Sequence, residues 1–337
     1  MRRLAFLLVF GCCVAAQACD LCAVYRAADA RGDSGEGFVF SLAEQYIPYG
    51  TTQLDGEEVD NPPFDDFVDS SITHFVLGYN ISSRFGISLN VPLTHLKFER
   101  TDLVYSLSGP PVLVNEQGTE TGLGDVSLIG RVAIFQKLEM EYGLVVNVLA
   151  GVKFPTGNDE RLDDEIEQTE IYDALPSTIP HDDPLQHSIA SVHQHNLALG
   201  SGSYDGIFGV TMNGNWQRFF LNAQFQYYLR SEGRSGFKYG NELMVSGGPG
   251  VFVLLDKGYT LSFQAFALYD DMGEDELLGT PSGRTGLTAW YLGPVVNFTW
   301  GSQFSANIGA EFPLSIENNG YQSVPDYRLH GGISWRF

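Results

Sequence analysis

The chain is poor in cysteine, poor in positive charge, and nearly without long apolar runs. It has 4 Cys in 337 residues, at positions 12, 13, 19 and 22. That excludes a disulfide-dense scaffold. Lys and Arg number 19 against 41 Asp and Glu, for a net charge of −22 and a pI near 4.5. Nucleic acid is excluded as a partner, because phosphate binding needs Lys and Arg to displace counterions. Beyond the N-terminus, no stretch reaches the ~18 apolar residues of a transmembrane helix. What the chain has instead is 13% aromatic residues and 38 Gly. So many aromatics exclude a disordered acidic chain, and the length suffices for a large core or a large barrel.

The N-terminus has the form of an export signal. Arg2 and Arg3 precede an apolar run from Leu4 to Ala16, and Ala16-Gln17-Ala18 is a small-x-small cleavage site. Residues 1–18 are therefore expected to be removed, leaving Cys19-Asp20-Leu21-Cys22 at the head of a periplasmic segment, 19–36. A leading Cys also suits lipidation, although Ala16 stands where lipoprotein signals carry a bulkier aliphatic residue.

The remainder alternates with period two. Phe85, Ile87, Leu89, Val91 and Leu93 interleave with Gly86, Ser88, Asn90, Pro92 and Thr94. Leu144 to Phe154, Tyr259 to Tyr269, Trp290 to Trp300 and Phe304 to Phe312 repeat the form. These runs exceed the usual ~5–6 residues of a globular strand and match the ~9–11 that cross a membrane at a tilt. Many begin or end in Tyr, Trp or Phe, as interfacial girdles require.

Twelve strands are predicted: 37–47, 72–80, 85–98, 124–135, 142–154, 205–213, 218–230, 242–255, 259–270, 289–300, 304–314 and 326–337. Short connections alternate with long ones at 48–71, 99–123, 155–204, 231–241, 271–288 and 315–325. The pattern is that of an all-β, up-and-down antiparallel transmembrane barrel over 37–337, with short periplasmic turns and long extracellular loops. The expected location is the outer membrane of a Gram-negative-type bacterium, in contact with its lipid and lipopolysaccharide. The ending Gly332-Ile333-Ser334-Trp335-Arg336-Phe337 is similar to the assembly signal of such barrels.

Three groups of residues carry a family resemblance. They are Gly78 through Pro92; Gly122-Leu123-Gly124-Asp125 with Phe154-Pro155-Thr156-Gly157; and Leu199-Gly200-Ser201-Gly202-Ser203-Tyr204-Asp205 with Tyr228-Leu229-Arg230 and Gly240-Asn241-Glu242. Together they resemble a family of outer-membrane barrels named for the phenol-degradation meta-pathway, or simply as transporters. The resemblance spans roughly residues 70–250 and implies a barrel with a transport role. It implies no catalytic residues.

Twelve strands enclose a lumen between that of a filled eight-stranded barrel and an open 16–18-stranded porin. A narrow passage is expected, partly filled by side chains or a folded-in segment. Positions opposite the apolar stripes place Asp125, Arg131, Lys153, Arg230, Glu242, Asp270, Glu311, Arg328, His330 and Arg336 inside, where ion pairs would brace the wall. Acidic residues crowd 48–71 and 155–204, which would attract small solutes of positive charge, or leave a solvated repulsive surface.

His181, Asp182, Asp183, His187, His193 and His195 form a candidate site for Zn, Cu or Ca in the longest loop. If 193–195 is extended, its two imidazoles share a face. Cys19 and Cys22 lack the following His that haem attachment requires, and suit a disulfide, a metal pair or exchange with a partner. The reading is a channel or transporter for small solutes, not an enzyme. The alternative is a barrel that anchors a periplasmic redox or metal-binding protein through Cys19 and Cys22.

Overall fold

The computed structural model describes residues 36–139, 141–176 and 183–337. The signal, Cys19, Cys22, His181 and Asp182 lie outside the described residues. Twelve strands form the wall: β1 Gly37–Tyr49, β2 Phe67–Asn80, β3 Phe85–Ser106, β4 Ser127–Leu138, β5 Tyr142–Lys153, β6 Asp205–Trp216, β7 Phe219–Leu229, β8 Glu242–Leu255, β9 Tyr259–Met272, β10 Leu287–Trp300, β11 Phe304–Asn318 and β12 Arg328–Arg336. Each is antiparallel to its chain neighbour, and β12 pairs back onto β1, with Phe40 opposite Trp335. The sheet is therefore a closed ring, which leaves no wall strand with a bare edge.

Alternation decides which side chains face lipid. Phe38 and Phe40, Leu77 and Tyr79, Ile87 and Leu89, and Ile308 and Phe312 all point outward and are exposed. Tyr142, Trp216, Phe219, Tyr259 and Trp300 cluster at the short turns, and Tyr269 packs on Trp290 (4.7 Å between ring centres) toward the other rim. These are the two aromatic belts of a barrel in a bilayer. A polar group interrupts this face where Ser71 and Thr73 donate to the Glu44 carboxylate. On β8, Gly247 and Gly248 have φ of 139° and 154°. A Cβ on Gly248 would collide with the Ala265 carbonyl, so only glycine fits where the wall bends.

Two long connections depart from the loops read in the sequence. Residues 99–123 are strand. β3 runs 22 residues to Ser106, and Gly109–Leu123 returns beside it as an added strand outside the ring. Nearly every added-strand residue is exposed, so no apolar stripe betrays it. Residues 155–204 contain a helix, α1, Glu160–Asp173, and a 3-10 turn, Gln194–Leu197. Leu162, Ile166, Thr169 and Tyr172 recur at helical spacing, and all are buried. α1 lies against the extended hairpin. Arg161 donates to Glu116 (2.7 Å) and Glu120 (2.6 Å) of the added strand, and Tyr172 meets Tyr105 edge-on at 5.1 Å. Thr51–Leu54 pairs with Tyr321–Val324, and Phe237–Lys238 with Glu276–Leu277, so the remaining long connections also pair with one another.

Candidate functional site: the plugged mouth

The lumen is built in layers, which follow from reading each strand two residues at a time. At the mouth, inward positions are charged: Lys153, Asp205, Glu242 and Asp270, all buried. One step down they are apolar, with Leu149, Ile207, Met244 and Leu268 in a single packed cluster together with Ile129 and Phe266. Toward the short turns they are amides and hydroxyls: Asn147, Thr211, Asn213, Gln224, Ser262 and Asn297. Arg131 brings a charge into this lower layer, and it donates to Asn80 (2.9 Å) and Asn147 (3.2 Å).

The charged layer is a network. Lys153 Nζ stands 3.4 Å from both Asp125 and Asp205. Arg230 donates to Asp205 (3.2 Å) and Glu242 (2.7 Å). Arg328 pairs with Asp270 at 3.2 Å, and His330 with Glu311 at 3.2 Å. Asp125, Arg131, Lys153, Glu242, Asp270, Glu311, Arg328 and His330 are buried, and Arg230 and Arg336 are half-buried, the latter near the short turns. Asp205 joins them, although in the sequence it stood out only as the first residue of a strand and the last of a resemblance-bearing group.

Two of the three resemblance-bearing groups converge on this network. Asp125 accepts from the backbone N–H of Gly157 (3.0 Å) and Ser201 (2.8 Å) and from the Ser201 hydroxyl (2.7 Å). The backbones of Gly157 and Gly200 cross so closely that a Cβ on either would lie within 3 Å of the other chain segment. Arg230 N donates to Asn241 (2.9 Å). Sequence motifs far apart in the chain therefore tie the long loop to three wall strands.

Residues 183–204 fold into the mouth as a plug. Val192 and Leu197 are buried against Val68, Ile72, Leu96 and Phe98, which point inward from β2 and β3. Polar anchors reinforce the apolar ones. Asp66 accepts from Thr101 N (2.8 Å) and Ser191 N (2.9 Å). Asp102 accepts from Ser188 Oγ and Ile189 N, each at 2.9 Å, and pairs with Arg100, whose Nε donates to the Val192 carbonyl. Two cavities remain beside the plug. One, of about 90 Å³, is lined by Asp125, Lys153, Arg230 and Glu242; the other, of about 110 Å³, by Tyr49, Val192, His195 and Asp275.

No family model and no curated protein sequence matches this chain. Among solved structures, an outer-membrane channel from Pseudomonas putida F1 superposes with a TM-score of 0.58 over 90% of this chain and 96% of its own, at 14% identity. The fold is that of an outer-membrane β-barrel. Two further barrels match more loosely: the β domain of the Bordetella autotransporter BrkA (TM-score 0.41, 12% identity, 90% of this chain and 100% of that one) and the NanC porin (0.39, 10%, 88% and 100%). An outer membrane is the setting of this barrel, with its apolar band toward lipid and its layered lumen within.

Three of the histidines of the candidate loop site are buried. His187, His193 and His195 are each almost wholly covered. His187 Nδ1 donates to the Pro184 carbonyl (3.0 Å), and its Nε2 stands 3.7 Å from Glu165. His193 opens the 3-10 turn and His195 lies within it, and their rings stack at 5.3 Å and 15°. Asp183 is engaged elsewhere, accepting from Leu185 N and Ser282 Oγ at 2.9 Å each. Sequence reasoning missed Glu165, which α1 turns inward beside Leu162 and Ile166. Its helical spacing was the available signal.

Electrostatics divide the cluster. Burial opposes charge on Glu165, but the His195 hydrogen bond and the charges of His195, His193 and His187 outweigh it and hold the carboxyl well below its usual range. Burial likewise opposes charge on His195, yet Glu165 and Asp275 raise it. For His193 burial wins, and its pKa falls to about 4. Burial raises Asp275.

Proposed function

We propose that this chain is a narrow outer-membrane channel for small hydrophilic solutes, with a mouth closed by its own loop and a preference for cations. One observation carries the reading. In the lower lumen, buried polar atoms have no hydrogen-bond partner among the described residues: Asn90 Nδ2, Asn297 Nδ2, both amide atoms of Asn307, Ser262 Oγ and Gln45 Oε1. Leaving such groups dry costs roughly 1–3 kcal/mol each, so water belongs beside them. A cavity of about 20 Å³ lies among Asn222, Gln224, Ser246, Gln264 and Asn297, room for a water molecule. A barrel that served only as an anchor would be better filled with apolar side chains.

The layers give each part a task. The acidic segments at the mouth concentrate cations. The apolar collar of Leu149, Ile207, Met244 and Leu268 resists wetting and sets the narrowest point. The amide layer below it offers neutral hydrogen bonds that do not trap an ion. The test is single-channel recording of the purified chain in a planar bilayer, with reversal potential under a salt gradient. Small, steady, cation-preferring currents are expected. Silence from both the intact chain and a chain lacking the plug would overturn the reading.

A further inference from the structure

Glu165, His193 and His195 each present a ligand atom, and these atoms lie within 4.8 Å of one another. Their exposures are 1%, 3% and 4%. An ion pair between Glu165 and His195 (3.3 Å) accounts for two of the three. It leaves His193 Nδ1 buried and without a hydrogen-bond partner among the described residues. A protein gains nothing by desolvating an imidazole nitrogen that binds nothing.

The surroundings point the same way. His195 faces Glu165 with Nδ1, while its Nε2 faces Asp275 at 3.6 Å. A carboxylate behind the far nitrogen is how a ligating imidazole is oriented and made more basic. His187 stands against the other oxygen of Glu165. Phe237 stacks on His195 at 5.2 Å, and Tyr239 Oη donates to the His195 carbonyl at 2.8 Å, fixing the turn. Leu162, Ile166, Leu185 and Leu277 close the compartment.

We propose that Glu165, His193 and His195 bind one divalent transition-metal ion, zinc in the first instance, which ties α1 to the plug. Two imidazoles and a carboxylate suit zinc, copper or nickel rather than calcium, which prefers an all-oxygen shell. The two carboxylates, Glu165 and Asp275, balance the charge of the ion. Ligands on tetrahedral zinc at ~2.0–2.1 Å stand about 3.4 Å apart, close to the separation Glu165 and His195 already have, so binding needs His193 to close by at most about 1.4 Å. The ion enters from the cavity beside His195. Binding does not depend on the channel reading. The consequence for the mouth does, since metal would hold the plug in place.

The experiment uses the tag-free full chain, folded in detergent and stripped with EDTA. Zinc uptake is followed by titration calorimetry, and cobalt is substituted as a spectroscopic probe. One zinc per chain is expected, with the intense visible bands of four-coordinate cobalt. His193→Ala and His195→Ala should each weaken uptake by more than about tenfold. His95→Ala should not, because His95 lies on the outer face of β3 against Thr121. Folding of each variant is checked by heat-modifiable electrophoretic mobility. No uptake, the weak bands of six-coordinate cobalt, or uptake unchanged in both variants would overturn the proposal. If a variant does not fold, the cobalt spectrum of the unsubstituted chain decides. Parallel bilayer recordings keep the two readings apart, because a silent barrel that binds zinc fails as a channel and stands as a metal site.

Discussion

At the mouth, Lys153 and Arg230 meet Asp125, Asp205 and Glu242 as full charges, and the loop supplies backbone N–H groups to the same carboxylates. Below the apolar collar, the wall offers Asn147, Thr211, Gln224 and Asn297 in their place. The two regions meet the same difficulty, polar groups inside a confined space, in different ways. A buried charge is stable only with partners, and the mouth provides several for each base. A neutral amide tolerates water as its partner, so the lower lumen can stay open where the upper one is sealed. On the proposed channel reading, the difference gives cohesion to the charged layer and passage to the neutral one.

Five changes would break or sharpen this contrast. Replacing residues 183–199 with a short Gly-Ser linker removes the plug and leaves the wall intact. Conductance should rise several-fold, and an unchanged conductance would show that the collar alone limits flow. Arg230→Ala strips Glu242 of its basic partner, leaves Asp205 with Lys153 alone, and should destabilise the barrel by about 3 kcal/mol, read from denaturant-induced unfolding in detergent. Asn147→Ala, in the lower layer, should cost much less in the same assay. Asp102→Ala removes acceptors for Ser188 and Ile189 and loosens the plug by about 1–3 kcal/mol. It should appear as faster open–closed flicker and more rapid proteolysis near residue 188, with the wall unaffected. Glu57→Gln with Glu58→Gln, both exposed, should lower cation preference slightly at low salt and have no effect at high salt.

The wall was legible in the sequence because lipid on one side and a lumen on the other impose alternation on every membrane-spanning residue. Strand ends were less legible where strands leave the bilayer. β2 begins at Phe67 rather than 72, and β3 continues to Ser106 past 98, because in water neither face must be apolar. The added strand with its Pro110-Pro111 start carries no stripe at all. In the site, inward charges could be read from parity, since His330 and Glu311 sit opposite apolar neighbours. The plug could not. Its anchors, Asp66, Asp102 and Glu165, are acids among many acids, and only the helical spacing of Leu162, Ile166 and Tyr172 separates the buried one on α1 from its exposed neighbours. Asp205 was hidden for a related reason, because a strand's first residue has no preceding partner to set its parity.

The pairing of β1 with β12 has a kinetic meaning. Phe40 and Trp335 become neighbours only after the whole intervening chain has been laid down between them. Hairpins such as β6–β7 form locally and fast, but the last seam joins the most distant contacts in the molecule and sets a slow final step. Until it forms, β1 and β12 are two bare edges, each able to recruit a strand from another chain. Dilution, or a surface that holds both edges of one chain together, should therefore favour completed barrels over aggregates.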